Sequence, residues 1–215
     1  KMSVLANNYG HLVRYGPMEP HQQILRLARR RGVLRPRDLT SLGLPRHHLA
    51  EMVAKGELHK SGRGLYIPAS AELTEHHSLA EVCARVPAGI VCLLSALRFH
   101  GLTLQNPHQV WLAITPDSRK PVIVPPPLRI ARFSGPAYTQ GVEHHKVEGV
   151  DVRVYEAAKT IADCFKYRHK IGIDVALEAL RTAWRTKKVT ADQIWHFSRI
   201  CRVTNVMRPY LDSLE

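Results

Sequence analysis

Apolar residues recur at helical spacing in the first third of the chain, and the periodicity shifts to two in its middle. From His21 to Gly32, Ile24, Leu27 and Ala28 fall on one stripe, which predicts an amphipathic helix stopped by the glycine. Arg26, Arg29 and Arg30 lie off that stripe and are expected to face solvent. A short helix is expected from Pro36, a residue suited to a first turn, with Leu39 and Leu42 turned inward and Gly43 ending it. Pro45 opens a second helix in which Leu49, Met52 and Val53 are apolar at i, i+3, i+4, and Gly56 closes it. Leu58 to Lys60 and Leu65 to Ile67 read as strands around Ser61-Gly62-Arg63-Gly64, whose glycines suit positive-φ turn positions. Together these elements predict a helix-turn-helix followed by a two-stranded wing.

Pro68-Ala69-Ser70-Ala71 marks the expected boundary between units. Thr74 is expected to cap a helix running to about Val86, with Leu79, Val82 and Cys83 inside. Ile90 to Phe99 is almost wholly apolar and reads as one buried helix, with His100 as a cation at its C-terminal end. Val110 to Thr115 is apolar on both faces, as in an interior strand. Pro125-Pro126-Pro127 predicts an extended connection into a strand from Leu128 to Phe133. Val142 to Lys146 and Val150 to Tyr155 predict a hairpin about Val147-Glu148-Gly149. From Glu156 the period lengthens to that of a helix, with Ala158, Ile161, Ala162 and Phe165 on one stripe and Lys159 and Asp163 beside it as an i, i+4 pair. Ile173, Leu177, Leu180 and Trp184 are the expected buried face of the next helix. Thr190 to Gln193 forms a capping box, and Thr204 is a cap for a terminal helix carrying Met207, Tyr210 and Leu211. The expected fold class is α+β: an N-terminal winged helix-turn-helix over 20–69, and a mixed α/β domain over 70–215 with a small sheet flanked by helices. Residues 1–19 are expected to form an arm or capping segment.

Charge sharpens this picture. The formal net charge is +13, and residues 1–70 hold 12 Lys and Arg against 4 Asp and Glu. The excess is densest on the expected reader, as phosphate contact requires. Arg46, His47 and His48 lie at the start of the second helix and are expected to reach base edges, while Arg35, Arg37, Lys60 and Arg63 are expected to hold phosphates. A second basic run extends from Lys166 to Arg202, with nine Lys and Arg against three Asp and Glu. Its expected functional face comprises Lys166, Arg168, Lys170, Arg181, Arg185, Lys187 and Lys188, suited to an anionic partner.

Catalytic chemistry finds little support. The pairs His47-His48, His76-His77 and His144-His145 are adjacent residues, which point to different sides of an element, so no pair gives two ligands to one metal. No metal and no cofactor are expected. Nor does any phosphate-binding glycine loop or nucleophile elbow appear. A metal-dependent nuclease would draw on Asp117, Glu143, Asp151 and Lys146, but these carboxylates are sparse for that chemistry. Cys83, Cys92, Cys164 and Cys201 sit in apolar runs and read as buried free thiols. No signal peptide pattern and no apolar run of about 18 residues is visible, which predicts a cytoplasmic protein with no membrane partner.

With these residues in view, the chain resembles the AbiEi-family antitoxins, the repressor half of type IV toxin–antitoxin phage-defence pairs. The segment GVLRPRDLTSLGLPRHHLAEMVAKGELHKSGRGLYIP is similar to the family's winged helix. VCLLSALRFHGL, VWLAIT, LRIARFSG, VRVYEAAKTIADCFKYRHKIGIDVALEALR and VMRPYLDSL are similar to its C-terminal domain. The resemblance implies a non-enzymatic autorepressor that binds inverted repeats in its own promoter through duplex contacts. It also implies a C-terminal domain that neutralises a nucleotidyltransferase-like toxin, often without a stable complex. The matched reader positions are Arg46, His47, His48 and, in the wing, Arg63. Histidines there carry less positive charge at neutral pH than an Arg or Lys pair. Two other readings stand beside it: an effector-responsive regulator with no toxin, and a helix-turn-helix fused to a nuclease.

Overall fold

The structure, a computed structural model, describes residues 19–71, 74–122 and 126–213. Two compact units divide the chain, Lys1–Glu72 and Leu73–Glu215. The arm expected over residues 1–19 lies outside the described residues except for Glu19, the residue before the first helix.

In the first unit the order is α1 (Pro20–Arg31), α2 (Pro36–Thr40), α3 (His47–Ala54), β1 (Leu58–Gly62) and β2 (Leu65–Pro68). Helix α1 starts on Pro20 and ends at Gly32, whose φ of 71° leads the chain away. Arg29, Arg30 and Arg31 occupy its last turn, where cations complement the helix dipole. Ile24, Leu27, Ala28, Leu34, Leu39, Leu49, Met52 and Leu58 form one core. All three helices contribute to it, so the short α2 and α3 are held by packing rather than by intrinsic stability. Leu42, expected inside, is instead 40 % exposed. It follows the end of α2 in the turn toward α3, outside the apolar stripe. β1 and β2 pair antiparallel, with a register shift between Lys60 and Gly62. Leu34 adds a bridge to Tyr66, its N–H and carbonyl both bonded at 2.8 and 2.9 Å, and so ties the α1–α2 connection to the hairpin.

The second unit runs α4 (His77–Arg85), β3 (Ile90–Val91), α5 (Leu93–Phe99), β4 (Val110–Ile114), β5 (Leu128–Arg132), α6 (Pro136–Thr139), β6 (Val142–Val147) and β7 (Val150–Tyr155). Helices α7 (Ala157–Lys166), α8 (Arg168–Ile171), α9 (Ile173–Arg185), α10 (Ala191–Ile200) and α11 (Thr204–Leu211) follow. The five strands form one mixed sheet in the order β5-β4-β3-β7-β6. β4 is an interior strand with every residue buried, as its doubly apolar pattern requires. β6 and β7 turn over Glu148 and Gly149, at φ 51° and 78°, the signature of a tight primed hairpin turn.

One sheet face, carrying Ile90, Trp111, Ala113, Ala131 and Tyr155, merges with residues from α5, α7, α9, α10 and α11 into the main core. Alternation places Val91, Leu112, Val152 and Val154 on the other face, where α4 packs against β4, β6 and β7. Helix α7 is enclosed almost completely: all residues from Ala158 to Phe165 are buried. The charges of Lys159 and Asp163 are therefore sealed in, with Nζ 2.5 Å from Oδ2. Tyr155 and Phe133 present their rings to the ammonium at 4.1 and 4.9 Å, and the Cys201 thiol donates to Asp163 Oδ1 at 3.2 Å.

Several expectations need correction. Ile90 and Val91 are not helical; they form β3, hydrogen-bonded to β4 on one side and β7 on the other, and the helix starts at Leu93. A run apolar on every side satisfies either a buried helix or a buried strand. Thr74 does not cap α4, which begins at His77; its hydroxyl accepts from His76 N–H and donates to Glu148. The buried stripe of α9 is Val175, Ala176, Ala179, Leu180 and Ala183, with Ile173 36 % exposed and Leu177 and Trp184 only partly covered. Small residues let α9 approach α7 closely, which large apolar residues on its flank do not reveal. Thr204 is the first residue of α11 rather than its cap. His100 is not a helix cation: its Nε2 lies 2.7 Å from the Tyr155 carbonyl and burial lowers its pKa, so the ring is a neutral donor. The capping box at Thr190 forms as expected, with Thr190 Oγ1 accepting from Gln193 N–H and Gln193 Oε1 accepting from Thr190 N–H.

Candidate nucleic-acid interface

Helices α2 and α3 are set by two local devices. Asp38, buried in the first turn of α2, accepts Arg35 N–H at 2.7 Å and Arg31 Nη1 at 2.8 Å. This closes the helix start and anchors the end of α1 on it. Gly43 and Gly56, at φ 67° and 69°, make the turns before and after α3. The N-terminal end of α3 is thereby left outermost, with Arg46 and His47 exposed.

The expected DNA contacts divide into two groups. Arg37, Arg46, His47, Lys60 and Arg63 are exposed, Arg63 standing between Gly62 and Gly64 at the hairpin tip. Arg35 and His48 are half-buried and already engaged. Arg35 Nε lies 3.7 Å from Asp38 Oδ2. His48 Nδ1 is 3.3 Å from Glu51 Oε2, and its side chain is 18 % exposed against 60 % for His47. Although adjacent on the helix, the two rings do not part to opposite sides: their centroids are 4.3 Å apart, and His47 Nε2 comes within 3.9 Å of Glu51 Oε1.

Behind His48 lies a cluster that sequence reading missed. His21 of α1 meets the His48 ring edge-on at 5.3 Å, and its Nε2 lies 3.3 Å from the same Glu51 Oε2. Bonds from His21 and then His48 hold the Glu51 carboxyl below the usual range, against a smaller effect of burial. On the far side of His21, Nδ1 lies 3.6 Å from Glu57 Oε2. That oxygen is shut off from solvent and has no hydrogen-bond partner. The only sequence signal was the histidine at 21, lying off the apolar stripe of α1.

Members of the second basic run have different surroundings. Arg181 and Arg185 share a groove on α9 with Asp174, Leu177, Glu178 and Thr182, so acids and bases alternate there. Lys188 turns elsewhere: its Nζ donates to the His100 carbonyl at the end of α5, beside a hollow lined by Phe99, His100, Glu143 and Glu156. Lys166, Lys170 and Lys187 are exposed, and Arg168 Nη1 donates to the Phe165 carbonyl at 3.0 Å.

The nuclease carboxylates do not converge. Asp151 pairs in register with Lys146 and bonds His144 at 3.0 Å, whereas Glu143 bonds His145 at 2.9 Å. Glu143 is three residues from Lys146, so alternation puts it on the opposite face of the hairpin.

No helix among the described residues is long and apolar enough to cross a membrane. No curated protein matches the chain. Residues 22–69, from α1 to the end of the hairpin, match a family described as transcriptional regulator, AbiEi antitoxin. The match covers the N-terminal helix-turn-helix-like unit, which is thus similar to the transcriptional regulators described as AbiEi antitoxins.

Proposed function

We propose that the chain is a cytoplasmic, non-enzymatic autorepressor and antitoxin of a type IV toxin–antitoxin pair. Residues 20–69 act as a winged helix on duplex DNA, and residues 70–215 neutralise a nucleotidyltransferase-like toxin. One observation carries the reading. The regulator-family match falls on the same 22–69 segment that presents Arg46 and His47 at the exposed start of α3 and Arg63 at a hairpin tip. A helix end and a basic hairpin on one small core can place the first in the major groove and the second along phosphates. Arg37 and Lys60 add phosphate contacts; Arg35 contributes through its pairing with Asp38, and His48 by steadying α3 beneath His47. In the second unit Arg181, Arg185 and Lys187 are exposed cations that face a partner, joined by the exposed Lys166 and Lys170.

The deciding experiment is a gel shift on the DNA upstream of the gene, followed by co-expression with the neighbouring reading frame. Sequence-selective retardation together with rescue from a toxic neighbour supports the reading. Absence of any affinity for that DNA at low ionic strength overturns it. Regulation by a small effector, with no toxic neighbour, would identify the simpler regulator instead.

A further inference from the structure

We propose that His21, His48 and Glu51 form a binding site for a borderline divalent cation, with Zn²⁺ as the reference ion, that clasps α1 to α3. Each of the three side chains brings one ligand atom within 4.8 Å of the other two. Both imidazole nitrogens lie 3.3 Å from the one carboxylate oxygen. That spacing is long for a charge-assisted hydrogen bond, which settles nearer ~2.8 Å. It matches the edge of a coordination tetrahedron, since ligand bonds of about 2.0–2.1 Å place neighbouring ligand atoms roughly 3.4 Å apart. Two imidazoles and one carboxylate are a ligand set for zinc and its neighbours rather than for magnesium or calcium.

An independent feature points the same way. Glu57 Oε2, buried and without a hydrogen bond, faces the other nitrogen of His21 at 3.6 Å. If His21 were neutral and donated from Nε2 to Glu51, its Nδ1 lone pair would confront this carboxylate. Coordination through Nε2 requires the opposite tautomer, which turns an N–H rather than a lone pair toward Glu57 Oε2 at 3.6 Å. A carboxylate behind a ligating histidine is the usual orienting partner in such sites. Water completes the fourth position, on the side where Glu51 is 50 % exposed, so the ion can exchange with solution. The ligands come from two elements 27 residues apart in sequence, His21 on α1 and His48 on α3, so no local spacing motif announces them.

The test uses the full chain, stripped with a chelator and titrated with ZnCl₂ by calorimetry, with Co²⁺ as a spectroscopic probe. The expected result is one saturable equivalent, a tetrahedral Co²⁺ visible spectrum and a Zn²⁺-dependent rise in Tm. All three should vanish in His21→Ala and in His48→Ala, while Glu57→Gln weakens affinity about 10- to 100-fold. His59→Ala, an exposed histidine of the same unit, should change nothing. Should a variant lose stability, Glu51→Gln on the exposed side supplies the second comparison, read as the Zn²⁺-dependent change in Tm. Absence of saturable binding overturns the proposal, as does binding that survives both histidine substitutions. No DNA enters these measurements, so their outcome is separate from that of the promoter assay.

Discussion

Lys159 and Asp163 make an ion pair that no solvent reaches, one turn apart on α7, with side-chain exposures of 0 % and 1 %. In sequence the pair looks like an ordinary surface i, i+4 couple. Enclosure changes its energetics, because each charge has lost its hydration and depends on the other. Asp163→Ala should therefore destabilise the second unit by about 3–5 kcal/mol, by leaving the ammonium with only aromatic faces. Replacing both residues by apolar ones of similar volume, Lys159→Met with Asp163→Leu, should be far milder and range from neutral to stabilising. Urea unfolding of the single and double variants checks this. A double variant as damaged as the single one would show that the pair does more than neutralise itself.

The proposed DNA contacts separate by readout. Arg63→Ala should weaken binding to all duplexes alike and reduce the slope of log K against log salt by about one. Arg46→Ala with His47→Ala should instead flatten the difference between promoter and unrelated DNA. Fluorescence anisotropy over a salt series distinguishes the two patterns.

His100 gives stability a defined pH dependence. Burial holds its pKa below the ordinary 6.5, so the unfolded chain binds the extra proton first as pH falls. Its contribution is complete above that value and declines as pH drops through the window beneath it. The His100→Gln variant keeps a donor for the Tyr155 carbonyl but does not titrate. The stability difference between pH about 7.5 and about 5 should be smaller in that variant than in the parent chain.

All four cysteines are buried, and burial pushes every thiol up; Cys83 is pushed up to about 12. Thiolate is the reactive form. Native protein should resist a thiol reagent at neutral pH and react at all four positions in denaturant. Prompt labelling of a native cysteine would reveal local opening.

Removing charge at Arg181, Arg185 and Lys187 together should abolish toxin rescue in co-expression while leaving promoter binding intact. Lys188→Ala belongs in a separate variant, since its ammonium also caps the His100 carbonyl and its loss should lower stability. Full rescue by the triple variant would remove the basic face from the mechanism.

The first unit was legible because its punctuation is local: Pro36, Gly43 and Gly56 stop and start helices, and Leu49 and Met52 repeat at one period. The capping box at Thr190 and the interior strand at Val110 were legible for the same reason. What failed depended on neighbours distant in sequence. Ile90 and Val91 become a strand only because β4 and β7 offer hydrogen bonds on either side. Val175 to Ala183 is the inner side of α9 because α7 comes close, and small residues carry little hydropathy signal. The exposure of the candidate contacts was legible, but their surroundings were not. Arg46, His47 and Arg63 emerge exposed, whereas the partners of His48 and Arg35 required the fold to bring Glu51, His21 and Asp38 beside them.

The shortness of β3 has a kinetic corollary. Two residues join a β4–β5 ribbon to a β6–β7 ribbon, and each ribbon has a ladder of five or six pairs of its own. Each can zip up by itself, so the seam is where assembly must wait for α5 to dock and α7 to fall into place. The Val91 amide should then exchange with deuterated solvent before the amides inside either ribbon, because the short seam can part while both ladders stay closed.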